Sequence, residues 1–256
     1  MTEEPYRWVE AISNRREYIE HQLAGGSPIV ALSYDDGILF LTLSRERQKV
    51  FEIYDRIAMG AIGHPGDIER LRMAAIELAS TEGFTRSAHD VSLRRLANYA
   101  LSPALKAAFE QIYGAPYLAR MIFAELGEPN LFFRIDYDGS IHTNGGSLTP
   151  SFEDFGVIAG TKHATDLMEK FFRSQKSADL PLADALKIAL DAWTVGHLAL
   201  TGEESDYVPS AEQIAAHRNE QLAALVVEAA ILERGVSPIS FRQLAGAELD
   251  SLRAGD

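Results

Sequence analysis

Near its start the chain places Trp8, Ile12, Ile19 and Leu23 at separations of four, seven and four, one stripe of a 3.6-residue helix that Gly25 and Gly26 then stop. The spacing predicts an amphipathic helix over 8–24. In SPIVALSYDDGILFLTLS two apolar runs flank Asp35, Asp36 and Gly37, which reads as a β-hairpin beginning near Ile29. A polar bend, SRERQ, leads to Val50, Phe51, Ile53 and Tyr54, then Asp55–Arg56, then Ile57, Met59 and Ile62, which reads as two more strands. His64, Pro65 and Gly66 break that run. Helical spacing returns at Ile68, Leu71, Ala75, Leu78 and Ala79, with Gly83 as the expected C′ glycine. Residues 87–113 repeat the helical pattern with a kink or split expected at Pro103, which cannot donate to Tyr99.

Strands are expected again over 117–126, 131–136 and 155–159, and helices over 162–174 and 181–199. The polar stretch 201–221 has no clean apolar period and reads as an inserted surface loop, with at most a short helix around Gln213. LAALVVEAAILER then reads as a buried strand, SPISFRQL as its return, and Ala247 to Arg253 as a terminal helix. Two antiparallel sheets that bury one face against each other and cover the other with helix pairs satisfy this order. The expected fold class is α/β (α+β), a four-layer α/β/β/α sandwich.

Composition narrows the classes. The 256 residues suit one large domain, and 24 basic against 37 acidic residues give a net charge of −13, which opposes nucleic acid and anionic membrane surfaces as partners. With no cysteine there are no disulfides, thiolate nucleophiles or zinc ribbons, and the expected location is the reducing cytoplasm. The acidic start lacks a charged n-region followed by an apolar stretch, and no window approaches the ~18 apolar residues of a membrane span. Seven histidines show no i, i+4 pair, so neither a metal nor a cofactor is expected. Asp136, Asp138 and Gly139 resemble a calcium loop, but the glycine comes two positions early and Ser147 stands where the closing glutamate belongs, so a hairpin turn is expected.

The run SPIVALSYDDGILFLTLSRERQKVFEIYDRIAMGAIG closely resembles the first sheet of proteasome subunits, and KHATDLMEKFFRS and LPLADALKIALDAW extend the likeness over most of the chain. Within that family SRERQKVFEIYDRIA, RLRMAAIELASTEGFTRSAHDVSLRRLANYA and FFRIDYDGSI are most similar to the α-type subunit of bacterial proteasomes. The resemblance implies an N-terminal nucleophile hydrolase-like fold over 27–256, preceded at 1–26 by a gate segment and helix. A β-type subunit would expose an N-terminal threonine where Ser27 stands here, behind 26 residues and before Pro28, and would place an acid where Leu43 falls. Catalysis is therefore not expected of an α-type chain. The alternative is a self-processed N-terminal nucleophile hydrolase that cuts after Gly26 and uses Ser27 with Lys49.

The resemblance implies that Lys49, and with it Gly63, forms a pocket between neighbours that receives the C-terminal carboxylate of a ring-shaped ATPase activator. Lys49 also fits a lysine closing the strand bend beside Glu46 or Glu52, and Gly63 a plain strand-ending glycine. Tyr6, Arg7, Trp8 and Val9 are the expected gate, although Trp8 and Val9 equally fit the first turn of the helix. Ile12, Ile19 and Leu23 are the expected contacts within a heptameric ring of copies that stacks on β-type subunits and guards their chamber.

Overall fold

A computed structural model gives the structure of the protein and describes residues 4–45, 48–111, 113–143, 154–175, 180–202, 206–235 and 240–254. Helix α1 (Glu4–Leu23) leads to hairpin β1 (Ile29–Tyr34) and β2 (Gly37–Ser44), then to β3 (Val50–Tyr54) and β4 (Ile57–Gly63). Helix α2 (Pro65–Thr85) is followed by α3 (Leu93–Leu96) and α4 (Ser102–Glu110), joined by a π-helical turn at Ala97–Leu101. Strands β5 (Ala119–Glu125), β6 (Leu131–Ile135), β7 (Ile141–Thr143) and β8 (Phe155–Ile158) come next, then α5 (Lys162–Ser174), α6 (Leu182–Thr201) and α7 (Ala211–Ala224). Strands β9 (Val226–Glu233) and β10 (Phe241–Gln243) and helix α8 (Gly246–Ala254) complete the order.

Among the described residues the strands form two antiparallel five-stranded sheets, ordered β10-β9-β2-β1-β8 and β3-β4-β5-β6-β7. Period-two alternation sends Ile29, Ala31, Ile38 and Phe40 to the layer between the sheets, where they meet Ile122, Ala124 and Phe132. The alternate residues Val30, Leu32, Leu39 and Leu41 pack outward on Leu186 and Trp193 of α6 and Met168 of α5. On the far side Met59, Met121 and Phe123 meet Leu71 of α2 and Leu105 of α4. The α/β/β/α sandwich is the one the pattern predicts. Among the described residues no helix is long and apolar enough to cross a membrane.

Several local expectations need correction. His64 and Pro65 start α2 rather than merely breaking the strand: the His64 ring accepts from Gly66 N at 3.2 Å, and Pro65 sits in the first turn, where its missing N–H costs nothing. Gly83 lies inside α2, not after it. A Cβ there would overlap the Tyr54 hydroxyl, so the glycine serves close packing rather than a helix stop. The interruption expected near Pro103 is present, since a π-helical turn at Ala97–Leu101 separates α3 from α4, whose first turn holds Pro103. In that turn Ser102 N donates to Ala97 O.

The stretch 201–221 is not a loop through its second half, because α7 occupies 211–224 behind a capping box formed by Ser210 and Gln213. Its period is faint because Ile214 is its buried residue, so the cap carried the stronger signal. The strand expected from Leu222 consequently begins only at Val226. The Asp136–Gly139 turn is the expected hairpin, with Asp136 N donating to Ser140 O and Gly139 at φ 79°. Ser147, Glu46 and Ile112 lie outside the described residues.

Candidate functional site

Lys49 stands at the corner that carries the chain from the first sheet into the second, one residue before β3. Both ends of its peptide are fixed: its N–H donates to the Glu228 carboxylate at 2.9 and 3.0 Å, and its carbonyl accepts from Ala61 N of β4 at 3.0 Å. Its side chain lines a cavity of about 1040 Å³ bounded by the end of α1, the β2–β3 corner, the end of β4 and His197 of α6. Burial pushes the Lys49 amine down to about 8, and the Glu228 charge opposes that fall in part. Burial likewise raises the Glu228 carboxyl, against the backbone donors that favour its charged form. At neutral pH the cavity therefore presents an ammonium within a strongly acidic chain, a setting suited to a partner's carboxylate.

Ser27, Leu43 and Gly63 line the same cavity, so the positions singled out by the sequence converge. Ser27 is held as a strut: its hydroxyl donates to Leu43 O at 2.7 Å and accepts from the Trp193 indole N–H at 3.2 Å. Its peptide nitrogen remains bonded to Gly26, whose N–H returns to Leu23 O and whose carbonyl accepts from Gly160 N. A nucleophile would need that peptide cleaved and that hydroxyl released. Leu43, buried in the outer layer of its sheet, has no carboxylate to orient anything.

Gly63 has a backbone reason to be glycine. It sits at φ 129°, and a Cβ would overlap the Leu118 carbonyl oxygen, which accepts the neighbouring His64 N–H at 2.7 Å. Because the obstacle is backbone, Gly63→Ala is expected to destabilise the fold by about 2–3 kcal/mol, read by denaturant unfolding. A change within about 0.5 kcal/mol would remove that backbone requirement.

Helix α1 contains the expected gate positions. The backbone at Tyr6, Arg7, Trp8 and Val9 is already helical, so these residues form its first turns. Ile19 and Leu23 are 0% and 1% exposed and pack on Phe109 and Tyr137, with Ile12 against the same cluster. That corrects the expectation of a ring contact at Ile19 and Leu23: the stripe that signalled an interface is consumed by the chain's own α4 and the β6–β7 turn. Its forward end is not covered, for Trp8 is 47% and Val9 67% exposed.

Beneath α1 lies Arg120, a charged residue that apolar periodicity passes over. Its guanidinium, 3% exposed, donates to Asp136 at 3.1 Å, to Ala159 O and Gly160 O at 3.0 and 3.2 Å, and to Glu20 of α1 at 3.1 Å. Tyr137 adds a 2.7 Å bond from its hydroxyl to Glu20, and Arg15 of α1 donates to Gly114 O at 2.8 Å and to the last carbonyls of α4. The one available sequence signal was a lone arginine inside the apolar run YLARMIFAEL. Glu228 gave no such signal, since it alternates like any half-exposed strand residue. Among the described residues no group of three or more His, Asp or Glu is placed to hold a metal ion.

A family model described as proteasome subunit matches residues 24–202. "Proteasome subunit alpha" of Parafrankia sp. (strain EAN1pec) is 32% identical over 248 residues, covering 95% of this chain and 92% of that one. The protein of the same name from Frankia casuarinae is 32% identical over 251 residues, with 96% and 93% covered, and that of Actinosynnema mirum 34% over 248 residues, with 95% and 84% covered.

Proposed function

The chain belongs to the proteasome subunit family, and from that premise we propose that it is the noncatalytic α-type subunit of a bacterial core particle. In this reading it forms a closed heptameric ring in the cytoplasm, stacks on β-type subunits that carry the peptidase, admits substrate past its N-terminal segment, and docks an ATPase activator at Lys49. The observation that carries the noncatalytic part is Ser27. Its hydroxyl is committed to Leu43 O and the Trp193 indole N–H, and the neighbouring Leu43 offers no carboxylate to orient it.

Ring formation is supported by the apolar stripe of α1 running past the body at Trp8 and Val9, which a neighbouring copy would cover. A copy related by rotation would make this contact heterologous, and such contacts close into rings. Docking is supported by the ammonium of Lys49 at the end of α1, in a cavity open enough to receive an extended peptide terminus.

The test is reconstitution with a β-type subunit from an actinobacterial relative. Electron micrographs should show stacked cylinders that hydrolyse a small peptide, with this chain at its full 28.2 kDa by intact mass. Removal of residues 1–7, which leaves Trp8 and Val9 in place for the ring contact, should raise degradation of an unfolded protein substrate. Loss of 26 residues on maturation, with hydrolysis by the isolated chain, would favour the self-processed hydrolase instead. Unchanged degradation by the truncated chain would remove the gate.

A further inference from the structure

We propose that Glu228 is the positioning residue for Lys49: its carboxylate clamps the backbone from which the lysine projects and supplies a negative charge that acts on the ammonium. The inference rests on the docking role proposed for Lys49, and it assigns part of that role to a different strand.

Glu228 sits in β9 opposite Thr42 of β2. Alternation along β9 places it on the same side as Ala230 and Leu232, which lie in the layer between the sheets, so its carboxylate points from the first sheet toward the start of the second. There it meets no cation within ion-pair distance among the described residues. It accepts instead from two successive backbone amides, Lys49 N at 2.9 and 3.0 Å and Val50 N at 2.9 Å. Those amides lead into β3, an edge strand whose other side pairs with β4, and Glu228 accepts from both at the bend where the strand begins. With its carbonyl held by Ala61 N as well, Lys49 keeps freedom only in its side chain. A partner's carboxylate therefore meets an ammonium on a fixed root, which lowers the ordering needed on binding.

The charge matters independently of the clamp. Other charged groups on the cavity wall are Arg45 at the β2–β3 corner and Glu69 of α2, whose carboxylate is engaged by Arg72 at 2.7 and 2.8 Å. His197 of α6 is held down to about 4 by burial and by His217, so it is neutral at physiological pH. Burial drives the Lys49 amine toward its neutral form, and the Glu228 charge works against that. Removing the carboxylate should leave burial unopposed, and a strictly structural residue would have no such effect on the lysine's titration.

The experiment uses cylinders reconstituted from the full chain and a β-type subunit. The probe is a fluorescent peptide ending in three apolar residues and a free carboxylate, with its C-terminally amidated twin as control, and binding is followed by anisotropy from pH 6 to pH 10. The wild type should prefer the free carboxylate below about pH 8 and lose that preference as the pH rises through it. Glu228→Gln should weaken the preference severalfold and move its midpoint down by about one pH unit. Glu228→Asp keeps the charge on a shorter arm, and should hold the midpoint near the wild-type value while still weakening binding.

A wild-type midpoint and affinity in Glu228→Gln, with the preference abolished by Lys49→Ala, would overturn the role of Glu228 and leave docking at Lys49 standing. A preference that survives Lys49→Ala would overturn both. Should Glu228→Gln fail to assemble, Glu228→Asp decides: wild-type affinity in that variant overturns the clamp, and severalfold weaker binding at an unmoved midpoint supports it.

Discussion

Arg120→Met is expected to lower the stability of the chain by about 3–5 kcal/mol, because it strips the partner from two carboxylates and two carbonyls while filling nearly the same volume. Asp136 and Glu20 would lose their cation, and Ala159 O and Gly160 O their donor. Burial by itself works against a charged guanidinium, but Asp136 and Glu20 outweigh it and hold Arg120 above its ordinary value. The group is charged at every accessible pH, so its contribution does not titrate from the arginine side. Against a typical total of about 5–15 kcal/mol this is a large fraction, and thermal unfolding should fall by on the order of 10 °C.

The loss should also be local. Arg120 ties α1 to β5, to the turn after β6 and to the end of β8, so amide hydrogen exchange should accelerate most over Glu4–Leu23. Ring formation should fail at temperatures where the sandwich still holds. Arg120→Lys should not restore stability, since one ammonium cannot reach acceptors spread around a planar fork. A change below about 1 kcal/mol would mean that α1 is held by its apolar contacts at Ile19 and Leu23 and by the Arg15 and Tyr137 bonds without help from Arg120.

How much of this was legible in sequence depends on how many residues carry each signal. Strand alternation such as Val30, Leu32 and Tyr34 against Ile29 and Ala31 repeats across both sheets, so the layered fold could be read from pattern alone. Helix α7 could not, because Ile214 is its buried anchor and its cap rests on the Ser210–Gln213 pair. Gly83 and Gly63 look alike in sequence, yet one makes room for a tyrosine hydroxyl and the other for a crossing carbonyl, and only the packed neighbours reveal which.

The cavity was legible in part. Lys49 and Ser27 were found through the family likeness, whereas Glu228 lies 179 residues from Lys49 and meets it only through sheet pairing. The stripe Ile12, Ile19 and Leu23 is amphipathic as its spacing predicts, but Ile19 and Leu23 are covered from within the chain, while Ile12 is only partly buried. Periodicity reports that a face is covered, not whether the cover is the same chain or another.

Lys49→Met is expected to leave the stacked cylinders intact and to collapse the ratio of activator-stimulated to unstimulated hydrolysis. One charge-assisted hydrogen bond to a terminal carboxylate is worth about 1.5–3 kcal/mol, so each pocket alone would weaken roughly 10- to 150-fold. A ring-shaped activator engaging several equivalent pockets would compound that loss through effective concentration. The pH dependence follows from the direction of the shift. Burial lowers the Lys49 amine to about 8, so the ammonium is present below that pH and lost as pH rises through it, and wild-type stimulation should fall over the same interval. Lys49→Arg separates charge from shape, because a guanidinium does not deprotonate there. If the cavity of about 1040 Å³ admits the longer head group, this variant should stimulate at pH 9 where the wild type no longer does. Stimulation by Lys49→Met at the wild-type level would instead place activator capture elsewhere on the ring, and the low amine would then reflect only a lysine closing the corner between β2 and β3.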